Sequence, residues 1–317
     1  MKATIVILTF NGERYLQEIL DAIARQKVEG EFEVLVIDSG STDRTLEIIA
    51  ARPEVRLHQI PNSEFGHGRT RNLAAQLATG EFVVYLTHDA VPADEFWLAE
   101  LLEPFARFPR VEAVLGRQAP RPDCVPIIKY DIQRAFATQG PEFGTTLSYE
   151  TPAFERKPSY GMPARFYSDV NSAARRRFLI DTIGYQDVAY AEDQLFAQDV
   201  LKAGYYKAYA SRGAVVHSND LTYAEYSQRL FDEIVGLRMS GAPVPSPSTP
   251  FRAFVRAVVL DPLDIVRDRD YSFARKLYWL VVNPFYHLAK RTASRRASRV
   301  NLADTSALER GSLEAQR

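Results

Sequence analysis

A carboxylate placed where an apolar run breaks off is the first chemical signal in this chain. Residues 82–86 (FVVYL) stop on Thr87-His88-Asp89. A buried strand ending on a carboxylate delivers it to the crevice beyond the strand's carboxyl end, where open α/β sheets bind ligands. Asp89 could equally cap the helix suggested by Pro92 and the following ADEFWLAELL. His88 points to the opposite side if the strand continues through it. Two earlier runs end in the same manner: residues 3–8 (ATIVIL) lead to Thr9, Asn11 and Glu13, and residues 32–37 (FEVLVI) lead to Asp38 and Ser39. Short polar groups at such strand ends can hydrogen-bond a base and a ribose edge-on, whereas residues 41–43 read as a turn and helix cap. In FGHGRTRN (65–72), two glycines precede Arg69 and Arg71 at a helix start. Cations there oppose the helix dipole, so a nearby anion would account for them; a solvated basic cluster is the alternative. Glu192-Asp193 opens a helix that stops at Gly204, a position where acids also complement the dipole. His217 closes the run 207–217, and a lone histidine there is more often a hydrogen-bonded core residue than a ligand.

Alternating elements position these groups. Strands are predicted over 3–8, 32–37, 54–59, 82–86 and 111–115, and helices over 14–25, 44–51, 69–78 and 96–108. Runs of this length in this order imply a right-handed, doubly wound, mostly parallel sheet with helices on both faces. Neither a Gly-x-Gly-x-x-Gly after the first strand nor a Walker lysine motif is present, which argues against an ordinary dinucleotide or P-loop enzyme. Residues 117–163 lose periodicity and read as long loops over a cleft. Regularity returns at 166–177, a final edge strand is expected at 207–217, and a helix at 221–239 closes the domain. Residues 240–250 (SGAPVPSPST and Pro250) read as a linker, and 301–317 as a disordered tail.

Composition sets the outer limits. With 317 residues and 46% hydrophobic content, the chain can bury a large core. A net charge of −1 argues against a basic nucleic-acid binder. Residues 251–300 nonetheless hold 11 Lys or Arg and 4 Asp, a surplus of +7. Their aromatic and apolar stretches, flanked by basic residues, suit an in-plane amphipathic helix on an anionic membrane surface; packing on the domain or on a second copy is the other reading. Cys124 is alone, the first apolar run is too short for a signal peptide core, and no stretch approaches the roughly 20 apolar residues of a spanning helix. The expected location is cytoplasmic, with peripheral attachment to the inner face of the membrane.

The motifs TFN-x-E, DSGSTDRT, FGHGRTRN and YLTHDAVP, in this order, resemble a family 2 inverting glycosyltransferase of the GT-A fold, in its rhamnosyltransferase-like branch. In that family the strand before the cleft carries an Asp-x-Asp motif. Here Thr87 stands at the first position, and Asp89 alone matches the second. The resemblance implies that Asp89 and His217 hold a divalent metal, Mg2+ or Mn2+, and that Asp193 is the general base. It assigns Thr9, Asn11, Glu13, Asp38, Ser39, Arg69, Arg71, Thr87 and His88 to the nucleotide sugar, and Glu192, Asp169 and Asn171 to the acceptor side. The implied domain spans 1–239, with a nucleotide-sugar half to about 116. The implied partners are a nucleoside diphosphate sugar, dTDP-L-rhamnose, and a glycan or lipid-linked acceptor. A sugar nucleotidyltransferase and a non-catalytic membrane scaffold are the competing readings.

Overall fold

The computed structural model describes residues 3–151, 163–188, 190–219, 221–239 and 254–313. The chain forms two compact units, one of residues 1–119, 133–188 and 192–217, the other of 120–132, 189–191 and 218–317. This division differs from a catalytic domain ending at 239, because residues 120–132 and the helix at 223–239 belong with the C-terminal helices. The expected linker at 240–250 lies outside the described residues.

In the first unit, β1 (Ala3–Thr9), β2 (Phe32–Asp38), β3 (Val55–Gln59) and β4 (Phe82–Thr87) are parallel, in the order β3-β2-β1-β4. The unbroken apolar character of β1 and β4 follows from burial of both faces, as parallel sheets require. Helix α1 (Glu13–Ala24) turns Leu16, Ile19, Leu20 and Ile23 to that core, at the spacing the sequence shows. Helices α2 (Thr45–Ala50), α3 (His67–Leu77) and α4 (Trp97–Arg107) follow their strands as expected. Gly68 in α3 is a glycine for a reason of space: a Cβ there would lie 2.1 Å from the Gln186 carbonyl oxygen.

Beyond β4 the sheet becomes mixed. Among the described residues nine strands form one sheet, with β5 (Val91–Pro92), β6 (Val111–Ala119), β7 (Thr145–Ser148), β8 (Asn171–Arg175) and β9 (Tyr206–Val216) completing it. β8 runs antiparallel between β4 and β6, pairing Leu86 with Asn171 and Leu115 with Ser172. The stretch read as loops contains β7 and α5 (Pro126–Ala137). The strand at 206–216 is not an edge: β6 pairs with it in parallel on one side, and β5 and β7 pair antiparallel on the other. Helices α6 (Arg176–Asp181) and α7 (Glu192–Lys202) complete this unit. Given these registers, the carboxyl ends of β1, β2, β4, β6 and β9 and the amino end of β8 share one edge of the sheet.

The second unit is helical, with α8 (Tyr223–Met239), a π-helical turn (Arg256–Leu260), α9 (Asp261–Arg267), α10 (Phe273–Arg299) and α11 (Thr305–Glu309). Its core joins Tyr226 of α8 to Ile265, Trp279 and Tyr286. The tail departs from expected disorder over 301–313. There α11 forms, and the Leu313 amide donates to Asp232 at 2.8 Å.

Candidate active site

The loops after β1 and β2 are tied to each other. Asn11, at φ +51, donates its amide to Ser41 Oγ at 2.8 Å and accepts at Oδ1 from the Thr42 amide at 2.9 Å. Glu13 donates its amide to Asp43, and Glu13 Oε2 accepts from the Arg44 amide, both at 3.0 Å. Asp38 is fully buried, its carboxylate accepting from the Gly40 and Ser41 amides, each at 3.0 Å, and from Ser41 Oγ. Ser39 donates its amide to the Thr9 carbonyl at 3.0 Å. These residues, expected to touch the nucleoside, tie the two loops together, because backbone amides at strand ends need acceptors. Thr9 Oγ1 is buried with no hydrogen-bond partner among the described residues, a polar group still to be satisfied.

At the end of β4, Thr87 Oγ1 donates to Asp89 Oδ1 at 2.7 Å. His88 turns to the β1 loop, where the Phe10 amide reaches its Nδ1 at 3.5 Å. Asp89 Oδ2 lies 3.3 Å from His217 Nε2. Burial pushes the Asp89 carboxyl up, but His217 and the Thr87 hydroxyl overcome this and hold it well below the usual carboxylate range. On the far side of the imidazole, Nδ1 meets Gln118 Oε1 at 3.1 Å. Gln118 Nε2 donates to Ser168 Oγ at 3.0 Å, which orients the amide so that Oε1 accepts the Nδ1 proton. Nε2 therefore presents its lone pair to a carboxylate, and a metal cation between them is the favourable arrangement.

A buried cluster of carboxylates lies beside this pair. Arg71, on α3, places Nε 2.9 Å from Asp169 Oδ2 and bonds Glu192 through Nη1. The Asp169 contact is an ion pair without hydrogen-bond alignment. Ser172 and Tyr185 hydroxyls both donate to Asp169 Oδ1, the latter at 3.0 Å. Asp193, half-buried in the first turn of α7, accepts from the Asp169 amide at 3.4 Å and the Gln194 amide at 2.7 Å. One guanidinium lies among three carboxylates and contacts two of them, Asp169 and Glu192. Burial, together with Glu192 and Asp169, pushes the Asp193 carboxyl well above its ordinary value. Burial also raises Asp169. The Thr87 amide donates to the Val170 carbonyl at 3.4 Å, so the segment holding Asp169, whose amide reaches Asp193, borders the segment holding Asp89.

Residues 4–182 match the family model for glycosyl transferase family 2. The chain belongs to that family. This glycosyltransferase is similar to the O-antigen chain rhamnosyltransferase RfbN of Salmonella typhimurium, at 31% identity over 73% of this chain and 71% of that protein. It is similar to WbaN of Salmonella anatum, also an O-antigen chain rhamnosyltransferase, at 32% identity over 72% and 70%. Among solved structures, the mannosyltransferase PcManGT from Pyrobaculum calidifontis, in complex with GDP-Man and Mn2+, has a TM-score of 0.57 at 20% identity, covering 92% of this chain and 86% of that one. TarS 1-349 from S. aureus, in complex with UDP-GlcNAc, has a TM-score of 0.53 at 20% identity, covering 98% and 79%. These likenesses agree with the GT-A fold expected from sequence.

The glycosyltransferase has no cluster of three His, Cys, Asp or Glu suited to a metal among its described residues. A carboxylate and an imidazole do fit a divalent cation whose remaining ligands are diphosphate and water oxygens. Two adjacent ligands of an octahedral ion lie about 3 Å apart, close to the Asp89–His217 spacing, and nitrogen suits Mn2+ better than Mg2+. Gln118, which the sequence did not flag, orients the His217 ring through Nδ1, as the outer partner of a ligating histidine would.

Four residues expected to face ligand are buried. Arg71, expected at the nucleotide sugar, and Asp169 and Glu192, expected on the acceptor side, are paired with one another beside Asp193. Asn171 is fully buried, accepting from Trp97 Nε1 at 2.9 Å and donating to the Arg117 and Gly213 carbonyls, and it braces β8 against β6 and β9. Arg69 is half exposed in a surface pair with Asp187, a contact weak enough to exchange for an anion.

Proposed function

We propose that this glycosyltransferase moves L-rhamnose from dTDP-L-rhamnose, with inversion, to a hydroxyl of a growing, lipid-linked surface glycan. The similarity to O-antigen chain rhamnosyltransferases supports the sugar and the acceptor class. The loops built on Asn11, Glu13, Asp38 and Ser39 enclose the nucleoside, with the Thr9 hydroxyl turned to it. Asp89 and His217 hold a divalent cation, which when bound neutralises charge developing on the diphosphate leaving group. Arg69 adds a cation at the start of α3. Asp193 accepts the acceptor hydroxyl's proton as that oxygen attacks the anomeric carbon and the bond to diphosphate breaks. One displacement of this kind inverts the centre.

The observation that carries this reading is the state of Asp193: partly accessible, without a direct ion pair among the described residues, and held well above its ordinary value by burial and by Glu192 and Asp169, which strengthens it as a proton acceptor. The test is Asp193→Asn. Release of nucleoside diphosphate should fall 10²- to 10⁴-fold, about the contribution of a positioned base. Donor affinity by calorimetry should stay within a factor of about three. Retained turnover, or donor binding lost in parallel, would remove Asp193 from the base role.

A further inference from the structure

The helices α9 and α10 pair as a hairpin whose outer face is apolar. Lys276 Nζ donates to the Val266 carbonyl at 2.8 Å, setting the start of α10 beside the end of α9. His287 and Asn283 reach Asp261 at 2.7 and 3.3 Å, setting the middle of α10 beside the start of α9. On α10 the inward stripe is Trp279, Asn283, Tyr286, Ala289, Ala293 and Ala297. At about 100° per residue, Phe273, Leu277, Val281, Phe285 and Leu288 fall on the opposite side. All five are more than half exposed, Phe273 at 78% and Val281 at 68%. Val258, Leu263 and Val266 leave a second exposed row on α9 and the turn before it. A row of this size does not stand in water without a role.

Charge identifies what covers it. Arg291, Arg295 and Arg299 continue the Phe273, Leu277 and Val281 line along the same face of α10, and all three are exposed. Arg267 and Arg269 are exposed in the connection between the helices. A second copy packed in parallel would bring the arginines together, and one packed antiparallel would set them against the apolar end at Phe273 and Leu277, whereas an anionic lipid surface accepts both the apolar row and the arginines. No helix among the described residues is long and apolar enough to cross a membrane. We infer that the α9–α10 hairpin lies in the plane of an anionic bilayer surface, with the apolar row of α10 in the acyl boundary and Arg291, Arg295 and Arg299 at the phosphates. This places no demand on the chemistry of Asp193, and its assay reads lipid instead of turnover.

The test is sedimentation of the full chain with phosphatidylcholine vesicles, with and without about one third phosphatidylglycerol. The wild-type chain should pellet with the anionic vesicles and stay in solution with the neutral ones. Val281→Glu with Phe285→Glu alters exposed positions only and should abolish pelleting with unchanged circular dichroism. Arg291→Glu with Arg295→Glu should lower partitioning at least about tenfold. Failure to pellet, equal pelleting with neutral lipid, or a lipid-free dimer that Val281→Glu with Phe285→Glu converts to monomer would overturn the inference.

Discussion

Replacing Arg71 by methionine removes the one cation that contacts both Asp169 and Glu192, while keeping much of the side-chain volume. The Arg71, Asp169 and Glu192 side chains are 7%, 0% and 7% exposed, so the carboxylates left behind cannot turn to water. Breaking a buried pair from one side costs about 3–5 kcal/mol. Burial already biases Asp169 toward its neutral form, so the cost should fall at the lower end, about 3 kcal/mol. Urea unfolding at pH 7.5 would read it as a lower midpoint at constant slope. Adding Glu192→Gln to Arg71→Met removes one stranded charge and should recover a third or more of the loss. Arg71 also lowers the Asp193 carboxyl, so its removal raises that group further and moves the acid limb of the pH–rate profile to higher pH. A loss under about 1 kcal/mol, together with an unmoved acid limb, would refute the claim that Arg71 governs this cluster.

The same electrostatics bear on stability. Because Asp193 is raised in the folded protein, its contribution is largest below the ordinary carboxylate range and is lost as pH rises through the raised value. Asp193→Asn should therefore melt at or above the wild-type temperature at pH 7.5, and a lower melting temperature would contradict this. Lys207 is fully buried, bonded to Gln139 and to the Pro163 and Phe166 carbonyls, and burial alone lowers it from 10.5 to about 7. Folded-state stability should rise as pH is raised from about 7 toward 10.5, by up to about 5 kcal/mol, and Lys207→Met should flatten that rise in denaturant titrations at several pH values. Gln118→Leu frees His217 Nδ1 and should raise the Mn2+ concentration needed for half-maximal turnover about 10- to 100-fold; no change would argue against His217 as a ligand.

The first hundred residues were legible because their signals are local. Each of β1, β2 and β4 is an apolar run that ends within a residue of its polar terminus, and α1 carries its buried stripe in its own spacing. What the sequence hid depends on distant partners. Asp38 has a strand-end position that suits a ligand, but two amides of the neighbouring turn claim one of its oxygens and the Ser41 hydroxyl the other. Arg71 looks like an exposed cation at a helix start until Asp169 and Glu192, about a hundred residues on, close over it. Asn171 and Gln118 are ordinary amides in sequence and become a brace and a histidine anchor only once β8, β6 and β9 are adjacent. The run at 207–217 read as an edge because nothing local announces that β7 and β5 return to cover its second side. The expectation for Asp193 came from two acids at a helix start that, in this order along the chain, resemble the family's base motif; the part the sequence hid is the buried Asp169 and Glu192 beside it.

Catalysis as proposed needs one cation bridging Asp89 and His217 while Asp193 faces the sugar. Anomalous scattering at the manganese edge, from crystals of Asp193→Asn soaked with Mn2+ and dTDP-L-rhamnose, measures this directly. A single strong peak within about 2.3 Å of Asp89 Oδ2 and His217 Nε2, with residue 193 opposite the diphosphate at the anomeric carbon, is the predicted result. A peak away from those two side chains, or residue 193 out of reach of the sugar, would contradict it.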